Sequence, residues 1–226
     1  MTLEEAIAKI RPLDHNAMEI AQKRWDGIAK PLHSLGKLET LLIQIAGITG
    51  NAEVDLSRRG LIAMCADNGV VEEGVTQTGQ EVTAIVAENF LKYDTSVGVM
   101  CKQNHAEIFP VDMGMVTDTK VRTDHKIAYG TQNMTKGPAM TREQAVKGLE
   151  AGIDMVRELN DKGYRILATG EMGIGNTTTS SAVASVLLKQ PVEEMTGRGA
   201  GLTSEGLVRK INAIKKAIAL NEPDPE

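Results

Sequence analysis

Residues 164–188 constrain the fold of this chain more than any other segment, because they combine a short apolar run, a cluster of glycines and a helical pattern. Residues 166–168 are typical of a buried parallel strand. Glycines at positions 170, 173 and 175 follow and allow the backbone to turn tightly. Asn176 and the three threonines after it can cap a helix whose apolar residues recur at helical spacing. The segment therefore predicts a strand, a glycine-rich turn and a helix, which together favour a parallel α/β fold.

The start of the predicted helix suits a phosphate group, because free backbone N–H groups meet the positive end of the helix dipole there. The spacing from Gly170 to Thr177 differs from that of a nucleotide P-loop at one position, where Asn176 replaces the lysine that reaches the outer phosphates. A monophosphate therefore fits this turn better than a triphosphate. The alternative is a tight strand-to-helix connection that binds no ligand.

Glu171 is expected inside this turn, where its carboxylate repels a phosphate unless it points elsewhere. We expect it to face a ribose hydroxyl or a nitrogen base, as the one candidate acid or base in the chain. The alternative is a structural role, in which Glu171 accepts hydrogen bonds from the amides of its own turn.

The composition argues against several classes of protein. Of the 226 residues 42% are hydrophobic and 24% are charged, and the net charge of −5 comes without a basic run, so no nucleic acid partner is expected. The acidic N-terminus is unlike a signal peptide and no apolar run approaches membrane-spanning length, so we expect a cytoplasmic protein with no membrane partner. Cys65 and Cys101 are predicted to be buried thiols, and the four histidines lack zinc-site spacing, so no metal is expected.

The chain divides into a helical beginning and an α/β remainder. Helical patterns in residues 1–50 predict helices over residues 3–10, from Asp14 to near Pro31, and from Ser34 to near Gly47. Strands predicted at residues 60–66, 105–111 and 166–168 then alternate with helices, as in parallel β-α-β units. We therefore predict an α/β nucleotide-binding domain over residues 51–226, and a small helical domain to which residues 1–50 belong.

Polar turns follow all three predicted strands, at Asp67, Asp112 and Glu171. Ligands bind at the carboxyl ends of parallel strands, so three converging turns predict a site at that edge of the sheet. Asp67 and Asp112 could each bind a ribose, but stabilisation of their own turns is the favoured interpretation.

A second glycine-rich loop, residues 197–201, contains Arg198. Thr203 then caps a helix predicted over residues 204–220. Either Arg198 or Lys210 of this helix could supply the positive charge that the first glycine turn lacks. For Lys210, a role in the site and a place on a solvated surface are both left open. A solvated helix face is the favoured interpretation for Arg209, Lys215 and Lys216.

The sequence ends in NEPDPE, whose two prolines are typical of a linker. We expect the chain to be a fragment of a longer polypeptide, and the intact mass of the natural gene product tests that expectation.

Five motifs together resemble the nicotinate-nucleotide–dimethylbenzimidazole phosphoribosyltransferase family. They are KPLHSLGKLE at residues 30–39, ADNGVVEEGVTQTGQEVT at 66–83, NMTKGPAMT at 133–141, TGEMGIGNTT at 169–178 and TGRGAGL at 196–202. They occur in the family's order over almost the whole chain, and the first and fourth are specific to the family.

The resemblance implies a Rossmann-like parallel α/β sheet with flanking helices, a small N-terminal helical domain and a homodimer. It implies an enzyme, a pentosyltransferase, that moves ribose phosphate from nicotinate mononucleotide to a benzimidazole and so gives α-ribazole phosphate and nicotinate. This reaction builds the lower ligand of cobalamin-type cofactors. The resemblance implies that the enzyme itself needs neither a metal nor an organic cofactor.

The resemblance also assigns site residues. Those for the phosphate and ribose are Gly173, Ile174, Gly175, Asn176, Thr177, Gly201 and Lys210. Glu171 is expected to contact the ribose or the incoming base, and Gln80 to line the base pocket with Thr76 and Thr78. The family usually has a histidine where Asn68 stands, and an aromatic–proline pair where Thr78-Gly79 stands, so the acceptor base is left open.

The largest departure from the family concerns catalysis. The family has a glutamate general base in a later G-E-G-T-G motif, and this sequence does not contain that motif. We therefore expect the 226-residue chain alone to be nearly inactive. Two other functions stay open at this point. One is a non-catalytic module that binds a nucleotide or a free base, and the other is a P-loop-like hydrolase or kinase, which the missing lysine disfavours.

Overall fold

A three-stranded parallel sheet lies at the centre of the structure, a computed structural model that describes residues 1–225. The strand order is β2-β1-β3, where β1 is Arg59–Ala66, β2 is Ala106–Gly114 and β3 is Ile166–Met172. Ala63 of the central strand lies between Pro110 of β2 and Gly170 of β3. The predicted α/β fold, a parallel sheet with flanking helices, is confirmed.

Helices precede, connect and follow the strands. In chain order they are α1 (Leu3–Ala8), α2 (His15–Asp26), α3 (Lys37–Thr49), a 3₁₀ helix (Gly69–Glu73), α4 (Glu81–Lys92), α5 (Ser96–Gln103), α6 (Arg142–Asp161), α7 (Asn176–Leu187), α8 (Val192–Met195) and α9 (Ser204–Asn221).

Alternate residues of β1 form a core on each face of the sheet. Cys65 packs with Phe90 of α4 on one face, and Ile62 packs with Met155 of α6 on the other. Because β1 is covered on both faces, its sequence is a nearly continuous apolar run. Burial of each large apolar side chain of this kind contributes roughly 1.5–3 kcal/mol.

A third cluster joins the loop after β1 to the last helices. Val70 and Val75 pack with Ala182 of α7 and Ile214 of α9. The loop that follows the central strand is therefore held against the two helices that come after β3.

The order of the strands places a crevice beside β1. The chain forms β1 and β2 in turn and then crosses back through α6 to add β3 on the other side of β1. The connection that leaves β1 packs on the face of Cys65, whereas α6, which leads into β3, packs on the opposite face. A crevice at the carboxyl ends of such a strand pair is the usual ligand site of a doubly wound sheet.

Residues 1–50 form α1, α2 and α3 and contain no strand, as predicted. Three predicted boundaries are wrong, because α1 ends at Ala8, α2 ends at Asp26, and α3 begins at Lys37 rather than at Ser34. The division of the chain into two domains stays a prediction.

A turn replaces the expected start of α3. Gly36 has a φ of +55°, which is not helical. The Glu39 carboxylate accepts a hydrogen bond from the Leu35 amide at 3.1 Å and pairs with Lys30 at 2.9 Å. These bonds fold the chain before the helix back onto its first turn.

The two cysteines agree with their prediction. Cys65 and Cys101 are buried and unpaired. Within residues 1–225, no helix combines the length and apolarity that crossing a bilayer requires.

Candidate functional site

A cleft of about 290 Å³ opens at the carboxyl ends of β1 and β3. Three loops line it, namely residues 75–78 after the 3₁₀ helix, residues 173–175 after β3, and residues 198–200 and 202 before α9. The first turn of α7 and the side chain of Lys210 complete the described walls. The cleft therefore lies where the order of the strands predicts a ligand site.

β3 is longer than the sequence predicted, and this corrects the placement of Glu171. The strand continues to Met172, so Gly170 and Glu171 lie in the sheet opposite Ala63 and Met64 rather than in the turn. The turn itself consists of residues 173–175. Glu171 is thus held on a rigid strand next to the turn.

Both glycines of the turn are needed at close contacts. A Cβ on Gly173 would overlap the carbonyl oxygen of Ala66, the last residue of β1. Gly175 has a φ of +92°, and a Cβ there would lie 2.9 Å from Cγ2 of Val71. The turn can therefore pack directly on the loop after β1 only with glycine at these positions.

The amino end of α7 presents free donors. Gly175 is the N-cap residue and no side chain caps the helix, so capping by Asn176 or the threonines was a wrong prediction. The Asn176 amide donates to the Gly173 carbonyl at 3.0 Å, and the Thr178 amide donates to the Gly175 carbonyl at 2.9 Å. In the described part of the chain the amides of Gly175 and Thr177 donate to no acceptor. These N–H groups thus remain for an anion at the positive end of the helix dipole.

The backbone N–H and the carbonyl of Ile174 are both hydrogen-bonded to side chains. Its amide donates to Thr83 Oγ1 at 3.0 Å, and its carbonyl accepts from Asn68 Nδ2 at 3.1 Å. The Ile174 N–H, predicted to contact the phosphate, is therefore already satisfied. Thr83 was not predicted, because nothing in its local pattern indicates a partner 91 residues away.

Lys210 lies inside the cleft and not on a solvated helix face. The side chain is 1% exposed, and its Nζ donates to Thr177 Oγ1 at 2.7 Å and to the Gly197 carbonyl at 3.2 Å. Among residues 1–225 no carboxylate pairs with it. Burial lowers the pKa of Lys210, as expected for an ammonium group that has lost water without gaining a counter-charge.

The other basic residues of this region divide as follows. Arg198 lines the cleft, and its guanidinium donates to the Leu202 carbonyl at 2.7 Å and to Ser204 Oγ at 3.1 Å. The side chains of Arg209, Lys215 and Lys216 are exposed on α9, as predicted. Arg209 donates to the Gly74 carbonyl at 3.2 Å and so ties α9 to the loop after the 3₁₀ helix.

Glu171 adjoins the cleft through Asn176. The amide Nδ2 of Asn176 donates to Glu171 Oε2. The carboxylate keeps access to solvent, but the surrounding protein displaces enough water to raise the pKa of Glu171 above its ordinary value. Its observed partner is a side-chain amide and not the backbone of the turn, so the alternative capping role is not seen.

The residues predicted to contact the base are only partly brought together. Thr76 and Thr78 line the cleft, and Thr76 Oγ1 donates to the Thr78 carbonyl at 2.8 Å. Gln80 lies behind the wall, where its Nε2 donates to the Asn68 carbonyl at 3.1 Å. Gly201 is not among the residues that line the cleft, and its carbonyl accepts a hydrogen bond from Gln77 Nε2. Gln77 was not predicted, although it joins two walls of the cleft.

Asp112 stabilises the end of its own strand, as predicted, whereas Asp67, which was predicted to stabilise its own turn, bonds to the loop after β2. Asp67 Oδ2 accepts from the Val116 amide at 2.8 Å. Asp112 Oδ1 accepts from the amides of Gly114 and Met115 at 2.9 and 2.7 Å. Asp112 belongs to β2 itself and not to a turn beyond it, because β2 continues to Gly114. Neither carboxylate lines the cleft.

A metal centre is not indicated by the described residues. Across residues 1–225, His, Cys, Asp and Glu side chains form no group of three or more that could hold an ion. The described walls of the cleft offer anion binding by amides and an ammonium group, beside one carboxylate of raised pKa.

Comparison with known proteins supports the family that the sequence motifs resemble. A family model described as "Phosphoribosyltransferase" matches residues 10–226. The nicotinate-nucleotide–dimethylbenzimidazole phosphoribosyltransferase of Ruminiclostridium cellulolyticum is 51% identical over 227 residues, which cover 100% of this chain and 64% of that protein. The enzyme of the same name from Clostridium acetobutylicum is 49% identical over 228 residues, which cover 100% of this chain and 65% of that protein.

A solved structure agrees with the sequence relatives. The crystal structure of CobT from Thermus thermophilus matches with a TM-score of 0.82 and 36% identity, over 90% of this chain and 62% of that one. The chain thus spans less than two thirds of the length of these relatives. The family model, these relatives and the shared fold establish that the chain belongs to the nicotinate-nucleotide–dimethylbenzimidazole phosphoribosyltransferase family.

Proposed function

We propose that the complete protein transfers ribose phosphate from nicotinate mononucleotide to dimethylbenzimidazole or a similar base. The products are α-ribazole phosphate and nicotinate, and the reaction serves assembly of the lower ligand of cobalamin-type cofactors. The observation that carries the proposal is Lys210, a buried ammonium group without a carboxylate partner among residues 1–225, beside the free amides at the start of α7.

The phosphate of the nucleotide supplies the missing counter-charge. An unpaired buried charge is costly, and a phosphoryl group between Lys210 and the amides of Gly175 and Thr177 removes that cost. Charge-assisted hydrogen bonds to such an anion are stronger than neutral ones. The helix dipole adds a further contribution of about 0.3–1 kcal/mol. The site suits one phosphate, because its cation comes from α9 and not from position 176, where a triphosphate-binding loop has lysine.

The reaction exchanges one C–N bond for another. A ring nitrogen of the benzimidazole attacks the anomeric carbon of the ribose from the face opposite to nicotinate. The bond to the pyridinium nitrogen breaks, and its electron pair neutralises that ring, so the departure of nicotinate needs little acid catalysis. The other benzimidazole nitrogen gives up its proton to a carboxylate. Positioning of the two reactants can lower the barrier by about 7–11 kcal/mol in favourable cases.

Glu171 is the carboxylate that this part of the protein offers to the reaction. We assign it a contact with the ribose or the incoming base, because it is fixed on β3 beside the turn and Asn176 orients it. The raised pKa of Glu171 makes it a better proton acceptor than an ordinary glutamate. By resemblance to the family, a glutamate outside these 226 residues acts as the general base, so this chain alone is predicted to be nearly inactive.

The remaining assignments follow from the positions of the walls. Thr76 and Thr78 line the cleft on the loop that follows the 3₁₀ helix, where we place the acceptor base, and Gln80 bonds to the Asn68 carbonyl at the start of that helix. A homodimer, a cytoplasmic location and the absence of a cofactor and of nucleic acid and membrane partners stay predictions from the sequence.

The test is a product assay on the complete gene product. With nicotinate mononucleotide and dimethylbenzimidazole together, we expect nicotinate and α-ribazole phosphate in equal amounts, and no nicotinate when the base is left out. Tight binding of α-ribazole phosphate without turnover would instead indicate a binding module. Magnesium-dependent hydrolysis of ATP would indicate a nucleotide hydrolase.

A further inference from the structure

The NMTKGPAMT motif, residues 133–141, does not line the cleft. Its first residues lie against the 3₁₀ helix that follows β1, where Asn133 is 6% exposed and Thr135 is 1% exposed. Both side chains donate to the carboxylate of Glu73. We propose that Asn133 and Thr135 are positioning residues that fix the base-side wall of the cleft, residues 76–78, through Glu73. The inference rests on the proposed function, which places the acceptor base at that wall.

The contacts to Glu73 form a small network that also reaches Glu72, because Asn133 Nδ2 lies 3.3 Å from Glu72 Oε2. Asn133 Nδ2 and Thr135 Oγ1 each lie 2.8 Å from Glu73 Oε1. Asn133 is itself oriented, because its Oδ1 accepts from the Thr135 amide at 3.0 Å. The hydrogen bonds from Asn133 and Thr135 hold the pKa of Glu73 below its ordinary value, so the carboxylate is ionised at neutral pH and the bonds are charge-assisted.

The residues that form the wall follow Glu73 closely in the chain. Gly74 follows Glu73 with a φ of +65°, so the backbone changes direction there. Val75 is then buried beside Met134, and residues 76–78 line the cleft. Because one left-handed glycine and one buried valine separate Glu73 from the wall, the position of Glu73 sets where the wall begins.

The hydrogen bonds that hold the phosphate side of the cleft come from residues outside this network, although Gly175 also packs on Val71 of the same 3₁₀ helix. The glycine turn is fixed by Thr83 and Asn68, and Lys210 is fixed by Thr177 and the Gly197 carbonyl. Loss of the network at Glu73 should therefore weaken binding of the base and leave binding of the nucleotide phosphate intact.

An exchange of donor and acceptor tests the proposal in the complete gene product. Asn133→Asp removes the donor and places a second carboxylate against Glu73. The double variant Asn133→Asp/Glu73→Gln restores one amide donor and one carboxylate acceptor in reversed order. Asp14→Ala serves as the matched control, because it removes the N-cap bond of α2, 2.9 Å from the Ala17 amide, far along the chain from the cleft.

The expected result is a selective change in one kinetic constant. Asn133→Asp should raise KM for dimethylbenzimidazole roughly tenfold while KM for nicotinate mononucleotide changes less than about twofold, and the double variant should recover most of the loss. Asp14→Ala should lower the melting temperature and leave both KM values unchanged. An unchanged KM for the base in Asn133→Asp, equal changes in both KM values, or a double variant worse than the single one would overturn the proposal.

Hydrogen exchange keeps this test separate from the proposed function. The amides of residues 75–78 should exchange faster in Asn133→Asp than in the wild-type protein, and should return toward the wild-type rate in the double variant. If the wild-type protein makes no α-ribazole phosphate, the proposed function fails, and this exchange comparison still decides whether the network fixes the wall. Unchanged exchange in Asn133→Asp would refute the positioning role whether or not the enzyme is active.

Discussion

Replacement of Lys210 by methionine tests the phosphate site most economically. Lys210 is buried, and its Nζ is held 2.7 Å from Thr177 Oγ1 and 3.2 Å from the Gly197 carbonyl. Methionine keeps an unbranched side chain of similar length and removes the charge. The variant therefore separates the electrostatic role of Lys210 from its packing in α9.

The size of the effect follows from the bonds lost. Removal of one hydrogen bond to a charged phosphate costs roughly 1.5–3 kcal/mol, which corresponds to about 10- to 150-fold weaker binding of nicotinate mononucleotide. The unliganded protein should not lose stability to the same extent, because methionine also removes a desolvated ammonium group that has no carboxylate partner in residues 1–225. We thus expect weaker nucleotide binding together with equal or greater resistance to unfolding.

The assay is isothermal titration of nicotinate mononucleotide into the complete gene product, followed by thermal unfolding without ligand. Lys215→Met is the matched control, because Lys215 is exposed on α9 and pairs with Glu193 outside the cleft. The phosphate site at Lys210 is refuted if Lys210→Met binds the nucleotide as tightly as the wild-type protein, or if Lys215→Met weakens binding equally.

Three further predictions concern the turn, the thiols and pH. Gly175→Ala should lower the free energy of unfolding by about 1–2 kcal/mol and the melting temperature by about 2–8 °C. Gly36 also has a positive φ, +55°, but has open space around it, so Gly36→Ala is the control that should lose stability without losing nucleotide binding. Because Cys65 is buried with its pKa raised to about 12, it should react with a thiol reagent only as fast as the protein unfolds, and fast labelling of native protein would contradict this. Since the pKa of Lys210 lies below its ordinary value of 10.5, the unfolded chain binds a proton that the folded chain does not, so the unfolding free energy of wild type relative to Lys210→Met should rise as pH approaches 10.5. If the difference in unfolding free energy between the wild-type protein and Lys210→Met does not change with pH, the lowered pKa of Lys210 is contradicted.

The glycine turn can be predicted from the sequence, because it requires glycine at particular positions within a few residues of one another. Gly173 and Gly175 sit where any side chain would meet neighbouring atoms, and a cluster of glycines between a strand and a helix is typical of such a contact. The same cluster misled the prediction at Gly170, which lies within β3 at a position where the sheet tolerates a small residue. Glu171 therefore lies in β3, although the sequence predicts it in the turn after that strand.

Residues that depend on long-range contacts could not be assigned from sequence. Helical spacing leaves Lys210 open, because it gives the faces of α9 but not which of them meets the cleft, and only the resemblance to the family assigns Lys210 to the phosphate. Thr83 and Asn68 hold the turn through side chains that come from far earlier in the chain. The sequence around Thr83 predicts a helix and that around Asn68 predicts a turn, and neither indicates a contact with Ile174.

Two α-helices and the 3₁₀ helix were not predicted, and for the two α-helices the reason is local. α5 contains Gly98, which weakens its helical pattern, yet that glycine is needed because a Cβ would lie 2.7 Å from the Tyr93 carbonyl oxygen. α8 is only four residues long, too short to show a period. In both cases tertiary packing outweighs intrinsic propensity.

A crystal structure of the complete gene product with nicotinate mononucleotide bound tests the central claim most directly. We predict phosphoryl oxygens within hydrogen-bonding distance of the Gly175 and Thr177 amides and of Lys210 Nζ, with the ribose turned toward Glu171. A nucleotide whose phosphate lies elsewhere, with these three donors left facing solvent, would contradict it.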